Sequence, residues 1–352
     1  MFNRTKTKQI SLGNIKIGGG APVSIQSMTN TDTRDVEATV AQIKDLEEAG
    51  CEIIRVAVVD EQAAKAIKSI KDQIKIPLIA DIHFDYKLAL ASFENGADCI
   101  RINPGNIGGE LKCVQVIHAA KANNKSIRIG VNSGSIEKEI RKKFGVSAEA
   151  LVDSAAGYVK LFEQNDFTNF KVSLKASSVN LSIEAYTRFA EKFSYPLHVG
   201  ITEAGTVFSG TIKSSAGIGA ILSRGIGDTI RVSLTGDPVL EVRTAWEILK
   251  SLELRKKGVE IISCPTCGRA EIDLIKLAEA TENALAKFKS TLHIAVMGCP
   301  VNGPGEAKEA DYGIAGGRGQ GLLFKKGEII RKVEEKELLT ALLEMLEQDG
   351  ID

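Results

Sequence analysis

An N-terminal (β/α)8 TIM barrel followed by a small α+β domain is the fold class this sequence predicts. Three observations carry it: eight short apolar runs each trailed by a helical pattern, a polar break near 251–258, and a changed order of elements beyond the break. Alternating strand and helix signals specify a parallel sheet with helical crossovers, and eight such units close it into a barrel.

The apolar runs fall at 23–26, 53–58, 78–82, 99–102, 127–131, 170–174, 197–201 and 229–234. Their β-branched content and polar flanks suit parallel strands covered on both faces. Helical periodicity follows at 36–49, 61–74, 86–95, 111–123, 148–164, 183–193 and 212–224, with 238–252 after the eighth run. An open doubly wound sheet is the competing arrangement, but eight regular repeats without a long crossover favour closure. The segment Ser251-Leu-Glu-Leu-Arg-Lys-Lys-Gly258 reads as a connection, which sets a barrel domain at 1–253 and a second domain at 258–352. The second domain reads as strand 259–263, a cysteine turn, helix 270–288, strand 292–297, a Gly/Pro-rich loop, a hairpin over 321–333 and a helix from about 335 to 347, a size ordinary for a domain. Glycine runs at Gly18–Gly20 and Gly316–Gly319 lack the strand-to-helix context of a phosphate loop and read as turns.

Forty-five basic residues balance 45 acidic ones among 352, so no global field favours nucleic acid or an anionic membrane. No apolar stretch reaches the roughly 18 to 20 residues that span a bilayer, and residues 1–9 lack a signal core. The expectation is a soluble cytoplasmic protein. Six cysteines are too few for a disulfide scaffold at this length, and three of them gather near the C-terminus. Cys51, Cys99 and Cys113 lie in barrel helix or strand contexts and read as packing residues.

Cys264-Pro-Thr-Cys267 puts two thiolates on one turn directly after a strand, so both reach one metal centre. Cys299 adds a third from the matching end of another strand, inside Met297-Gly-Cys-Pro-Val-Asn-Gly-Pro-Gly-Glu306, whose glycines let backbone amides approach sulfur. An iron-sulfur cluster with three cysteine ligands explains this set. A structural zinc site needs a fourth ligand and would have to recruit His293, and a redox disulfide leaves Cys299 without a role. With three cysteines, one iron of a 4Fe-4S cluster takes another ligand, and Glu306 ends the same rigid loop. Spacing alone reads Glu306 equally well as a surface carboxylate beside Lys308 and Glu309.

Basic residues recur inside apolar strands: Arg55, Arg101, Arg128, Lys175 and Arg231. Burying a charge flanked by Ile and Val is costly unless it is paired or faces a polar cavity. Five on parallel strands specify a shared cationic mouth, and guanidinium groups match phosphate oxygens, so the ligand carries phosphate. Arg231, early in its strand, fits least well. Polar residues collect at the C-terminal strand ends: Asp81, His83, Asn103, Asn106, Asn132, Thr202, Glu203, Ser233 and Thr235. Glu203, at a strand tip before a Gly turn, is the best-placed general acid; a loop salt bridge to an arginine is its alternative.

Together these segments resemble the 4-hydroxy-3-methylbut-2-enyl diphosphate synthase family, in its compact bacterial form. The resemblance runs from about Val23 to Val333 through PVSIQSMTNTDT, ADIHFD, RINPGN, GVNSGS, VSLKAS, GITEAG, SCPTCGR and MGCPVNGPGEA. It implies a 4Fe-4S cluster on Cys264, Cys267, Cys299 and Glu306, and an α+β iron-sulfur domain. It implies 2-C-methyl-D-erythritol 2,4-cyclodiphosphate as substrate, its diphosphate held by Arg55, Arg101, Arg128, Asn132, Lys175 and Ser233, with Glu203 as proton donor. Two electrons from ferredoxin or flavodoxin would open the ring as a hydroxyl leaves as water, with substrate displacing Glu306 from iron. A head-to-tail homodimer is also expected, because the last barrel helix runs away from the catalytic face. Two other classes compete: a phosphate-binding barrel lyase or transferase with a structural metal domain, and an electron-transfer module without catalysis.

Overall fold

The computed structural model describes residues 4–103, 105–299 and 308–351. They form two compact units, Met1–Arg255 and Lys256–Asp352.

Unit 1 opens with a hairpin, β1 (Ile10–Leu12) and β2 (Ile15–Ile17), paired antiparallel. Eight parallel strands follow: β3 (Ser24–Met28), β4 (Ile53–Ala57), β5 (Leu78–Ile82), β6 (Cys99–Ile102), β7 (Ser126–Asn132), β8 (Phe170–Lys175), β9 (His198–Val199) and β10 (Thr229–Ile230). Their order is β8-β7-β6-β5-β4-β3-β10-β9, and a parallel bridge between Val172 and Leu197 closes the ring. The helices are α1 (Val36–Ala49), α2 (Glu61–Lys71), α3 (Tyr86–Glu94), α4 (Glu110–Ala122), α5 (Lys138–Phe144), α6 (Ala148–Gln164), α7 (Val179–Lys192), α8 (Val207–Leu222) and α9 (Pro238–Ser251). The expected TIM barrel is therefore present.

Strand alternation separates two environments. Ile25, Ile54, Val56, Leu78, Ala80, Ile100, Ile127, Ile129, Val172, Leu174, Val199 and Ile230 face the helices in one continuous core. The intervening positions face the barrel axis. At the base these are Ile53, Ile79 and Cys99, packed on Ile10, Leu12 and Ile17 of the hairpin, which plugs that end. Buried carboxylates tie the base together: Asp98 accepts from Lys71 Nζ at 2.6 Å and Leu78 N at 2.9 Å, while Asp228 accepts from Arg4, Thr7 and Leu197 N. Arg255 closes the unit at the same end, donating to Val23 O at 2.7 Å and to Glu52.

Several boundaries differ from expectation for local reasons. The helix expected at 183–193 begins at Val179 because the Ser178 side chain caps Leu181 N. The one expected at 212–224 begins at Val207; its first turn exposes Phe208, so apolar periodicity starts late. The runs 197–201 and 229–234 form strand ladders at His198–Val199 and Thr229–Ile230, with Leu197 adding the single bridge to Val172; farther along, Leu234 N is bonded to Glu241 Oε1 at 2.9 Å. The hairpin of β1 and β2, and α5, are additions to the expected series.

Unit 2 is a mixed sheet of β11 (Val259–Ser263), β12 (Leu292–Met297), β13 (Tyr312–Gly316), β14 (Gln320–Lys325) and β15 (Glu328–Glu334), in that order. The first three run parallel and the last two antiparallel. The helices α10 (Leu274–Leu285) and α11 (Leu338–Gln348) bury Leu274, Leu285, Leu338, Leu342 and Leu346 with Ile294, Val296, Ile314 and Leu323 of the sheet. The expected helix 270–288 starts later because Asp273 caps it through Lys276 N, and Glu271 N is bonded to Gly298 O.

Candidate functional site

The mouth of the barrel is lined by inward positions near the strand C-termini. Arg55, Arg101, Arg128 and Lys175 are all buried, as expected from their places in β4, β6, β7 and β8. Asp81 on β5 sits among them: Arg101 Nη1 donates to it at 3.2 Å, and Arg55 Nε and His83 Nε2 lie 3.8 and 3.4 Å away. Burial alone would raise the Asp81 carboxyl, but Arg55, His83 and Arg101 outweigh it and hold it well below the usual carboxylate range. Asn132, with its amide oxygen turned to the guanidinium, accepts from Arg101 Nη2 at 3.1 Å. Arg55 also donates to Met28 Sδ, from Nη2 at 2.9 Å.

Arg231 is a different case from the other four. Its Nη2 lies 3.4 Å from Glu241 Oε2, and Glu241 also accepts from Ser27 Oγ at 3.2 Å. Its charge is therefore largely met within the chain. Glu241 was not foreseen, although a signal existed: with Ala245, Ile248 and Leu249 it lies on the apolar stripe of α9, where a carboxylate must find a partner.

Five basic side chains, Arg55, Arg101, Arg128, Lys175 and Arg231, thus share the mouth with two carboxylates, Asp81 and Glu241. Arg128 is the extreme member. Its Nε and Nη1 have no hydrogen-bond partner among the described residues. Burial, then the neighbouring Arg55 and Arg101, push it well below its ordinary value. Lys175 is depressed in the same way, by burial and then Arg128 and Arg231, and Arg55 falls to about 10. Burial and mutual repulsion thus disfavour the charged forms of these side chains, an electrostatic cost that a bound anion would relieve.

Two glycines make room for these long side chains. A Cβ at Gly130 would lie 2.7 Å from Arg101 Nε, and one at Gly200 would lie 2.6 Å from Lys175 Nζ and 2.5 Å from Arg231 O. Gly200→Ala is expected to destabilise the chain by about 1–3 kcal/mol and to weaken inorganic pyrophosphate binding about tenfold. Urea unfolding and calorimetric titration read both, and unchanged values would show that the mouth adapts freely.

Ser233 is half-buried beyond β10, and Glu203 is exposed at the loop after β9. Glu203 has φ 53°, a left-handed conformation uncommon for a residue with a Cβ, and Lys213 Nζ donates to its backbone oxygen at 3.4 Å. Among the described residues its carboxylate makes no salt bridge, so the expected alternative of an arginine partner is not realised.

In unit 2, parallel pairing aligns Ser263 with Val296, so Cys264 and Cys299 leave adjacent strand ends. The Gly298 amide donates to Cys264 Sγ at 3.4 Å, the type of N–H···S contact that steadies a thiolate. Cys299 is buried, Cys264 half-buried and Cys267 exposed. Hydrogen bonds from the Arg269 backbone and side chain lower the Cys267 thiol below its ordinary value, favouring the ligating thiolate. No three His, Cys, Asp or Glu side chains among the described residues converge on a point for a single ion. Each thiolate on a 4Fe-4S cluster meets a different iron, so such convergence is not required there. Glu306 lies outside the described residues. His293 Nε2 lies 3.5 Å from Glu260 rather than on the cysteines. Burial pushes the Cys51 and Cys113 thiols up to about 12, in keeping with packing roles.

The chain matches two family models, the GcpE TIM-barrel domain over residues 7–246 and the GcpE protein C-terminal domain over residues 260–348. It is 57% identical over 348 residues to the 4-hydroxy-3-methylbut-2-en-1-yl diphosphate synthase (flavodoxin) of Ruminiclostridium cellulolyticum, covering 99% of each chain. It is 61% identical over 346 residues to the protein of the same name from Caldanaerobacter subterraneus subsp. tengcongensis, covering 98% of each.

Proposed function

The chain belongs to the GcpE family, and on that premise we propose that it is a 4-hydroxy-3-methylbut-2-en-1-yl diphosphate synthase, an oxidoreductase of isoprenoid biosynthesis. Its reaction is the reductive ring opening of 2-C-methyl-D-erythritol 2,4-cyclodiphosphate, in which two electrons are consumed and a hydroxyl leaves as water. Flavodoxin, the donor in the relatives' names, supplies the electrons. The enzyme works in the cytoplasm; no helix among the described residues is long and apolar enough to cross a membrane.

The observation that carries the reading is the gathering of five basic side chains, four of them buried, around two carboxylates at the mouth. A diphosphate presents oxygens on two phosphorus atoms and so pairs with several of these side chains at once, which a monophosphate does less completely. Arg128, whose Nε and Nη1 are uncommitted, takes the central contact, flanked by Arg55, Arg101 and Lys175. Asn132 fixes Arg101 through its amide oxygen, and Ser233, half-buried beyond β10, offers a hydroxyl. Glu203, on its left-handed turn, presents a carboxyl that hands a proton to the departing hydroxyl.

Cys264, Cys267 and Cys299, with Glu306 as the fourth ligand, hold a 4Fe-4S cluster in unit 2. The donor set fits: two thiols at neighbouring strand ends, one already receiving an amide N–H, and a third with a lowered pKa. When bound, the cluster supplies electrons singly and one iron open to exchange. EPR of the reduced, anaerobically purified protein tests the whole reading, since adding the cyclodiphosphate is expected to change the spectrum. A spectrum indifferent to substrate, or zinc in place of iron and sulfide, would reject it.

Unit 1 ends at Arg255, bonded at the base of the barrel and away from the mouth. The reading therefore extends to a head-to-tail homodimer, in which the cysteine-bearing domain of one chain serves the mouth of its partner. A catalytically competent monomer in sedimentation and activity assays would contradict that extension.

A further inference from the structure

Asp81 on β5 stands in the mouth as an anion of the chain's own, and it is 4% exposed. Its two oxygens serve different partners: Oδ1 accepts from Arg101 Nη1 at 3.2 Å, and Oδ2 lies 3.8 Å from Arg55 Nε and 3.4 Å from His83 Nε2. Burial opposes its ionisation, but Arg55, His83 and Arg101 outweigh that, so the carboxylate keeps its charge. Neither arginine depends on it alone for its place. Arg101 Nη2 is also held by Asn132 at 3.1 Å, and Arg55 donates from Nε and Nη2 to Met28 Sδ at 3.1 and 2.9 Å. A residue needed only to fix these two side chains would not have to be charged, and a neutral acceptor would cost less to bury.

The charge bears on what the mouth must release. In the proposed reaction the ligand enters as a cyclic diphosphate with one ionised oxygen on each phosphorus. Opening the ring breaks one carbon–oxygen bond, and the bonding pair stays with the phosphate oxygen. Two electrons from the donor reduce the carbon skeleton, and one proton joins the departing hydroxyl to form water. A dianion, two electrons and one proton thus become water and a linear diphosphate with three negative charges. The ligand gains a negative charge while it sits among Arg55, Arg101, Arg128 and Lys175. A cationic site without a counter-charge holds the more anionic species more tightly, which is the wrong order for turnover.

We propose that Asp81 is a specificity-determining residue directed against the product: its carboxylate, bonded to Arg101 and beside Arg55, repels the linear diphosphate more than the cyclic one. A guanidinium is small, so an anion held on either arginine comes within repulsive range of that carboxylate, and the repulsion grows with the ligand's charge. The inference rests on the proposed reaction for the charges of the two ligands, and on no property of the cluster.

The test uses the full, cluster-loaded chain in its oxidised state, which binds both ligands without converting them. Calorimetric titration with 2-C-methyl-D-erythritol 2,4-cyclodiphosphate and with 4-hydroxy-3-methylbut-2-enyl diphosphate gives the ratio of their Kd values. In the natural chain the linear product is expected to bind no more than about threefold more tightly than the cyclic substrate. Asp81→Asn keeps an oxygen for Arg101 Nη1 and removes the charge, and it is expected to widen that preference about tenfold. An unchanged or smaller preference in Asp81→Asn would overturn the inference, because a residue that merely shapes the site alters both ligands alike. Should that variant not fold, the natural chain decides, and a preference for the product of about tenfold or more would overturn it. Failure of the reduced natural chain to convert the cyclodiphosphate would instead refute the proposed reaction, and this inference with it.

Discussion

Arg128→Met is expected to lower kcat/KM by about 10²–10⁴-fold while leaving the ligand-free protein as stable as before or more so. Hydrogen bonds to charged groups contribute roughly 1.5–3 kcal/mol each, and a guanidinium facing phosphate makes two, which gives that loss. The opposite sign for stability comes from the same side chain. In the free protein Arg128 is a buried charge with two uncommitted nitrogens beside Arg55 and Arg101, and replacing a poorly compensated buried ion with an apolar group is often neutral or stabilising. Anaerobic turnover and thermal unfolding without ligand check the two halves. A variant that is both inactive and strongly destabilised would make Arg128 a structural residue instead.

Cys299→Ala is expected to reduce bound iron from about four per chain to a small fraction and to abolish turnover, with pyrophosphate binding unchanged. Cys299 is buried at the end of β12 beside the Gly298 that donates to Cys264. Its loss removes a ligand from the more enclosed side of the proposed cluster site, whereas Cys267 is exposed. Iron and sulfide analysis with pyrophosphate titration separates the units. Full iron retention would remove Cys299 from the ligand set, and lost pyrophosphate binding would mean that the substitution reaches beyond unit 2.

Much of this was legible in the sequence because local rules and the fold agree. The helices at 36–49 and 148–164 have the expected limits, and Asp35 and Ser147 cap them as short polar residues should. The five basic residues of the mouth were visible as charges inside apolar strands. What escaped notice had weaker or contrary signals. Ile10-Ser-Leu-Gly-Asn-Ile-Lys-Ile17 is a hairpin pattern with a two-residue Gly-Asn turn, overlooked because a barrel series does not call for it. The strand β13 is rich in glycine, which strands avoid. Here glycine is needed, since a Cβ at Gly313 would lie 2.1 Å from Phe324 Cζ and one at Gly316 2.4 Å from Ile272 Cδ1. Glu241 was hidden by its helix, and only the direction of the apolar stripe betrays it.

The hairpin of β1 and β2 makes the barrel a cup rather than a tube. A cup has one rim, so whatever enters must leave the way it came. Substrate and product are then mutually exclusive occupants, and a departing molecule must clear the rim before the next can settle. Substrate and product therefore exchange at the rim, and the packed interior offers no second route.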